Sequence, residues 1–303
     1  MKRYDIIVAG DYFVDLVFTG LPKIPELGEE VFSTGFEMLP GGSYNTVVAM
    51  HRLGLKVGWA ADFGNDRFSR FVLEYAENEK LDPSLFVHHN QPLRHITAAV
   101  SFSRDRAFIS YSDPEPAMPA AMKKLPFASS RALYIPALYY GRWFNAGLSL
   151  GRVKNMSLIM DGNASDVTLK NTPDAAKALQ STDLFLPNAR EVRCLTGEQD
   201  LEKGIHMLLS LCPLVVVKDG IWGAYACDGS QLVHSPAIPV TPLDTTGAGD
   251  CFNAGFIKAW LDQRPLEECL KWGNIVGGLS TLALGGTGQV TTVKEVEEWL
   301  AKV

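Results

Sequence analysis

Short apolar segments alternate with amphipathic segments along most of the 303-residue chain, and this alternation constrains the fold more than any other feature. The apolar segments contain no regular polar positions, which indicates strands that are buried on both faces. Such strands, separated by helices, are typical of a parallel sheet with helices on both sides, so the sequence predicts the doubly wound α/β class. The predicted strands are residues 6–9, 57–61, 132–135, 157–161, 184–187 and 214–218, and the predicted helices are residues 46–53, 68–78, 173–180, 201–210, 249–262, 266–283 and 293–301.

Two segments depart from this alternation. Residues 15–37 are rich in turn residues, with short apolar pieces at 16–18 and 31–36, and residues 94–111 alternate apolar and polar side chains around a predicted turn at 104–107. Both patterns are typical of antiparallel hairpin strands. Because both segments interrupt an α/β run, we expect residues of about 12–37 and 94–111 to form a small β-sheet on a single domain that spans residues 1–303.

The composition excludes two classes of partner. The chain is 47% hydrophobic and 20% charged with a net charge of −6, and its Lys and Arg residues form no large cluster, unlike those of nucleic-acid-binding proteins. No apolar stretch approaches the ~18 residues that cross a membrane. Five scattered cysteines without a C-x-x-C pair fit reduced thiols. We therefore expect a cytoplasmic protein without nucleic-acid or membrane partners.

Residues 244–250, with the sequence Asp-Thr-Thr-Gly-Ala-Gly-Asp, lead directly into an apolar segment with helical character. Gly247 and Gly249 let an anion approach the unpaired N–H groups at the start of a helix. Asp250 stands where that anion would bind, so its carboxylate is placed to accept a proton. Such an arrangement fits phosphoryl transfer to a hydroxyl group. The alternative is that Asp250 only caps the helix.

Three motifs resemble those of the PfkB carbohydrate kinases, the ribokinase-like family. Residues 244–250 are similar to the C-terminal signature of the family, residues 41–54 to its Gly-Gly…Asn…Ala…Leu-Gly motif, and residues 187–191 to its Asn-x-x-Glu motif. The resemblance runs from residue 6 to about residue 293. It implies a ribokinase-like fold whose small sheet is a lid over the sugar. The chain departs from the pattern at residues 43–44, which are two residues where many members have three.

The resemblance implies roles on the acceptor side of the reaction. Asp250 is the implied catalytic base, and Gly247, Ala248 and Gly249 are the implied donors of backbone N–H groups to the transferred phosphate. Asp15, Gly41, Gly42 and Asn45 are the implied acceptor-binding residues. The place of Asp15 agrees with this role, because ligands of α/β sheets bind beyond the carboxyl ends of the strands. Asp11 is interpreted as support for the turn that follows the first strand.

The resemblance also implies a nucleotide site. Glu191 is expected to hold Mg²⁺ through water beside the phosphates of ATP, since Mg²⁺ keeps several of its waters. Lys218 ends a predicted strand and could contact a phosphate. The implied cofactor-binding residues are Asn188, Lys218, Gly220 and Asn274. Asp244 and Thr246, with the loop 283–288, match positions that offer oxygen atoms to a monovalent cation such as K⁺.

The residues and the resemblance together predict an ATP-dependent kinase that phosphorylates a sugar, polyol or nucleoside. One alternative is a kinase that uses another phosphoryl donor or acts on a sugar phosphate. A phosphorylated acceptor would need an additional cation near it, such as Arg94, Arg106 or Arg142. Another is a non-catalytic member that only binds sugar. The apolar residues at 16–18 and 96–102 predict that one face of the small sheet prefers a partner to water, so we expect a homodimer joined lid to lid.

Overall fold

The computed structural model describes residues 3–101, 106–114, 118–163 and 167–302. Within these ranges the strands are β1 (Arg3–Ala9), β2 (Tyr12–Thr19), β3 (Gly35–Gly42), β4 (Val57–Ala60), β5 (Asp62–Phe63), β6 (Val87–His88), β7 (His95–Ser101), β8 (Arg106–Ser112), β9 (Ser129–Ile135), β10 (Ser157–Asp161), β11 (Leu184–Leu186), β12 (Val215–Lys218), β13 (Ala224–Cys227) and β14 (Leu232–Ser235). The helices are α1 (Ser43–Arg52), α2 (Arg67–Asn78), α3 (Ala120–Lys124), α4 (Arg142–Val153), α5 (Pro173–Leu179), α6 (Ala189–Thr196), α7 (Leu201–Leu209), α8 (Ala248–Leu261), α9 (Leu266–Ser280) and α10 (Val293–Leu300).

The main sheet has eight strands in the order β14-β13-β12-β11-β10-β9-β1-β4. The strands from β12 to β4 pair in parallel, and β13 and β14 add an antiparallel edge. Each of the six predicted strands overlaps one of these parallel strands, which confirms the predicted fold class. The two antiparallel edge strands, β13 and β14, were not predicted.

Helices cover both faces of the main sheet. Along β1, Ile6 and Val8 point into one apolar cluster and Ile7 into another, as expected for a strand buried on both faces. The first cluster includes residues of α1, α8 and α9, and the second includes residues of α4, α5, α6 and α7. Helices α3, α4 and α6 were not predicted. No helix within the described ranges is long and apolar enough to span a bilayer.

The small sheet has the order β3-β2-β7-β8. Its two antiparallel hairpins, β2–β3 and β7–β8, join through the parallel pair β2–β7. The two divergent segments of the sequence therefore do meet in one sheet. The predicted turn at 104–107 is partly wrong, because β8 already begins at Arg106, whereas residues 102–105 lie outside the described residues.

The register gives the small sheet two different faces. Asp15 pairs with Thr97, which pairs with Ser110, so these polar residues share one face. Leu16, Met38, Ala98 and Ile109 share the other face. The polar face continues to Phe13, His95 and Ser112, and these three residues line a cavity against the main sheet. The small sheet thus turns its polar face towards this cavity.

Candidate active site

A cavity of about 360 Å³ lies beyond the carboxyl ends of the parallel strands. Gly10 and Asp11 reach it from the end of β1, Pro136 from the end of β9 and Asn163 from the end of β10. Asp250, in the first turn of α8, also lines the cavity. The cavity therefore lies where α/β sheets bind their ligands, with the strongest candidate for catalysis in its wall.

Asp250 is held by two side chains of α1. Asn45 donates from Nδ2 to Oδ2 of Asp250, and Thr46 donates from Oγ1 to Oδ1, each over 3.3 Å. Before Asp250, Gly247 adopts a left-handed conformation (φ 72°), which directs the chain into the helix without the strain that a side chain would cause. The helix start and α1 together fix the carboxylate at the cavity wall.

The pKa of the Asp250 carboxyl group is raised to about 7. Its burial is the largest cause, because desolvation disfavours the charged form, and the negative charge of Asp161 is the second. The hydrogen bonds from Asn45 and Thr46 and the charge of Lys218 act in the opposite direction. Asp250 can consequently gain or lose a proton near neutral pH, as a general base requires.

Asn45 is clamped between two glycines that are distant in the sequence. A Cβ atom at Gly247 would lie 2.9 Å from Asn45 Nδ2, and one at Gly286 would lie 2.7 Å from Asn45 Cγ. Both positions therefore require glycine for the amide to sit beside Asp250. The amide oxygen Oδ1 of Asn45 is buried and has no hydrogen-bond partner among the described residues. A buried acceptor of this kind favours a ligand that donates a hydrogen bond to it.

Hydrogen bonds of Asp244 connect the segment before α8 to the loop 283–288. Its Oδ1 accepts hydrogen bonds from the backbone N–H (2.9 Å) and the Oγ1 hydroxyl (2.8 Å) of Thr246. Its Oδ2 accepts from the backbone N–H of Gly285 over 2.8 Å. The structure therefore brings together the two halves of the predicted cation site, and it uses the Asp244 carboxylate to bind protein donors.

Asp15 lies on β2 and is packed against β3. A Cβ atom at Gly41 would overlap the Asp15 carboxylate, so the glycine lets this carboxylate lie directly against β3. Gly42 has a positive φ of 63°, and its backbone packs closely against Asp11 and Phe13. Asp11 and Gly42 line the cavity. The sequence reading had treated Asp11 only as support for a turn.

Asn188 and Glu191 form a capping box at the start of α6. The Asn188 N–H donates to Oε2 of Glu191 over 2.8 Å, and the Glu191 N–H donates to Oδ1 of Asn188 over 2.9 Å. Burial raises the pKa of the Glu191 carboxyl group, and Asp161 raises it further. A Cβ atom at Gly162 would overlap Glu191 Oε2, so this carboxylate reaches the end of β10. The pair thus caps α6 and holds the Glu191 carboxylate beside the end of β10.

Lys218 belongs to a buried polar network that the sequence reading missed. Its Nζ contacts Asp161 Oδ1 at 2.7 Å and Asn253 Oδ1 at 3.1 Å. Asn253 in turn donates from Nδ2 to Asp161 Oδ2 (2.8 Å) and to the Tyr134 hydroxyl (3.0 Å). A Cβ atom at Gly249 would lie 3.9 Å from Lys218 Nζ, so the ammonium group lies beside the start of α8. Two signals could have identified the network: Asp161 ends a strand, and Asn253 follows Asp250 by three positions in one helix.

The remaining predicted nucleotide residues lie near the β12–β14 edge. Gly220 begins a short 3₁₀ turn after β12 with a φ of 56°. Asn274 is buried in α9, and its Nδ2 donates to the carbonyl oxygens of Ser235 (2.9 Å) and Pro236 (3.0 Å). The amide nitrogen of Asn274 thus anchors α9 to the end of β14. A role of Asn274 in nucleotide binding stays a prediction.

Two of the candidate arginines, Arg94 and Arg142, do not line the cavity. Arg94 forms an ion pair with Asp113 (Nε to Oδ2, 2.9 Å) and lies over the ring of Tyr111. Arg142 is exposed at the start of α4, and the side chain of Arg106 lies outside the described structure. Among the described residues, the cavity lining includes Asp11, Asp62 and Asp250 but no Lys or Arg.

Comparison with known proteins identifies the family. Residues 7–292 match the model of the pfkB family carbohydrate kinases. Ribokinase of Bacillus subtilis (strain 168) is 27% identical over 307 residues, which cover 98% of this chain and 99% of that enzyme. The 2-dehydro-3-deoxygluconokinase of the same strain is 25% identical over 304 residues, which cover 89% of this chain and 88% of that enzyme. A solved Escherichia coli protein, assigned as a ribokinase II and in complex with ATP and Mg²⁺, is 20% identical with a TM-score of 0.80 over 99% of each chain.

The chain belongs to the pfkB family of carbohydrate kinases, since the family model spans nearly all of it. It is a phosphotransferase with an alcohol group as acceptor. Its large, mostly parallel sheet and separate small sheet form a ribokinase-like fold.

Proposed function

We propose that this kinase transfers the γ-phosphate of ATP to a hydroxyl group of an uncharged sugar, polyol or nucleoside, with Asp250 as the general base. The observation that carries the proposal is the carboxylate of Asp250. It lines the cavity at the glycine-lined start of α8, and its pKa is raised to about 7. A carboxylate so placed accepts the hydroxyl proton while the adjacent helix start binds the phosphate that is being transferred.

The anion hole is proposed at Gly247, Ala248 and Gly249. The first N–H groups of a helix have no intrahelical partner, and the helix dipole favours negative charge beside them. Lys218 Nζ lies beside Gly249 and adds a positive charge. These groups stabilise the charge that develops on the phosphate oxygens in the transition state.

The residues at the carboxyl ends of β10, β11 and β12 suit a complex of a nucleotide with Mg²⁺. Glu191 offers a carboxylate beside Asp161, and the ammonium group of Lys218 lies next to both of these carboxylates. Mg²⁺ needs only one or two carboxylates and keeps most of its waters. Glu191 would hold Mg²⁺ through water, with Asn188, Lys218, Gly220 and Asn274 around the nucleotide. When bound, Mg²⁺ neutralises charge on the phosphates of ATP.

On the acceptor side, Asp15, Gly41, Gly42 and Asn45 are the proposed contacts. The buried Oδ1 of Asn45 can accept a hydrogen bond but has no partner in the described structure. A hydroxyl group of the molecule that is phosphorylated would supply the missing donor. The small sheet would act as a lid, since its polar face already borders the cavity. Exclusion of water by such a lid limits the hydrolysis of ATP.

A monovalent cation such as K⁺ is proposed near Asp244, Thr246 and the loop 283–288. The hydrogen bond between Asp244 and Gly285 holds the two halves of this site side by side. A hard cation needs several oxygen ligands, which backbone carbonyl groups of the two turns could complete.

A homodimer through the small sheet is also proposed. On its outward face Phe36 is 54% exposed, Ile109 is 73% exposed and Tyr111 is 52% exposed. They share this face in the strand register with Phe18, Met38 and Val100. A contiguous apolar surface of this kind favours burial against a second copy.

The sugar-phosphate alternative has weaker support, because three aspartates and no described Lys or Arg line the cavity. Like charges brought together in a site typically cost several kcal/mol. The intact Asp250 and its glycine turn argue against a non-catalytic sugar binder.

The test is release of ADP by the purified protein with ATP, Mg²⁺ and a panel of sugars, sugar phosphates, polyols and nucleosides. We expect turnover with an uncharged acceptor and a loss of ~10²–10⁴-fold in Asp250→Asn. Binding of acceptors without turnover would instead support a non-catalytic protein. Turnover that persists in Asp250→Asn would exclude the proposed base.

A further inference from the structure

The cavity extends past the acid-lined end into an apolar recess between α3, β9 and α4. Leu125, Leu133 and Phe144 are buried residues of the protein core that line this recess. The remaining walls are formed by the side chains of Ala121 and Met122 and by the backbone of Gly147. The side chains that line the recess thus offer carbon and sulfur atoms to whatever occupies it.

The opposite end of the cavity is polar. Asp11, Asp62 and Asp250 line it together with His95, whose pKa is lowered by burial so that the ring is neutral near pH 7. Asp62 is held by the His89 ring (2.6 Å) and by the N–H of Ala120 at the start of α3 (2.6 Å). Asp62 thereby connects the polar end to the helix that forms one wall of the recess.

A simple polyol does not match this two-part cavity. If its hydroxyl groups entered the recess, they would be buried without partners, which destabilises the complex. Water matches it poorly for the same reason, because an ordered water needs two or more polar partners. The part of the acceptor that fills the recess must therefore be apolar, and an aromatic ring is the group that buries a large apolar area there while staying rigid.

We propose that the acceptor is an uncharged sugar that carries an aromatic group, as in a nucleoside or an aryl glycoside. Its sugar hydroxyls lie at the acid-lined end with Asp250, and its aromatic group occupies the recess that Met122 and Gly147 border on one side. This inference rests on the proposed kinase function and adds the class of acceptor. The aspartates at the polar end disfavour phosphorylated and carboxylated acceptors.

Gly147 gives a direct test of the recess. A Cβ atom there would meet only Met122 Sδ at 3.8 Å, so a longer side chain would project into the open recess. Gly147→Leu should fill the space of the aromatic group while leaving the sugar end intact. Gly147→Ala controls for the gain in helix propensity, and Gly151→Ala is a second control on α4 that does not border the cavity.

The measurement is kcat/KM of the full chain with ATP and Mg²⁺ for free sugars, methyl glycosides, phenyl glycosides and nucleosides. We expect an aromatic acceptor to exceed its methyl analogue by about 100-fold, because the ring is removed from water. Gly147→Leu should lose most of this preference and retain kcat/KM for the methyl glycoside. Equal values for phenyl glycosides and nucleosides would identify the ring alone as the determinant, and higher values for nucleosides would identify the base.

A second variant covers the case in which Gly147→Leu does not fold. Met122→Ala should widen the recess and raise kcat/KM for a naphthyl glycoside relative to the phenyl glycoside. The inference is overturned if methyl glycosides or free sugars equal the aromatic acceptors, or if Met122→Ala leaves that ratio unchanged. In these cases the kinase function stands, provided that turnover still depends on Asp250. The absence of any Asp250-dependent turnover would overturn the proposed function itself.

Discussion

Asp250→Asn should make the protein inactive and more stable, with a stability gain that depends on pH. The carboxyl pKa moves from 3.8 in the unfolded chain to about 7 in the folded protein. Folding therefore favours the protonated form, so stability is highest below pH 3.8 and falls as pH rises through about 7. An asparagine resembles the protonated form in charge and size, and it does not incur this loss.

The magnitude follows from the shift. A difference of about 3 pKa units, at 1.36 kcal/mol per unit, is about 4 kcal/mol. With an unfolding entropy of ~2.1 cal/mol/K per residue over 303 residues, 1 kcal/mol corresponds to roughly 1.6 °C in Tm. Asp250→Asn should thus unfold roughly 6 °C above the wild type at pH 8, and the difference should shrink towards pH 4.

Thermal unfolding of both proteins across pH 4–8 is the assay, since other titrating groups are common to both and cancel in the difference. Asp228→Asn is a control whose Tm difference from the wild type should stay constant over this range. Hydrogen bonds from Ser230 lower the pKa of the Asp228 carboxyl group below 3.8, so its contribution to stability changes only below about pH 4. A Tm difference between Asp250→Asn and the wild type that is the same at pH 5 and pH 8 would refute the reasoning.

Three further variants test other parts of the site and the surface. Asp161→Asn removes a negative charge that raises the pKa of Asp250. The acidic limb of the pH profile of kcat/KM should therefore move to lower pH. An unmoved limb would show that Asp161 does not affect the group that titrates in this profile. Gly286→Ala should lower kcat at least tenfold in steady-state assays, because its Cβ would lie 2.7 Å from Asn45 Cγ and would displace the amide that supports Asp250; unchanged kinetics would show that Asn45 is not needed there. Ile109→Asp should convert the dimer to a monomer, as measured by light scattering. Phe127→Asp should not, because Phe127 is 77% exposed but lies outside the small sheet. A wild-type protein that is monomeric at micromolar concentration would contradict the dimer.

The sequence by itself determined the fold class and identified Asp250 as the candidate base. The buried strands are continuous apolar segments, and a parallel sheet covered on both faces is the only common arrangement that hides them. The glycine turn before Asp250 is likewise local, because a helix start is specified by a few consecutive residues. Helix α6 was not predicted, although Asn188 and Glu191 form the capping box at its start.

Tertiary structure decided what surrounds the base. Asn45 and Asp250 are 205 positions apart, and only folding places the amide between Gly247 and Gly286. The contact of Lys218 with Asp161 joins the ends of two strands that are not neighbours in the sheet. The raised pKa of Asp250 and the apolar recess beside Gly147 have the same origin. Both depend on which distant side chains exclude water from one place, and no local pattern in the sequence encodes that.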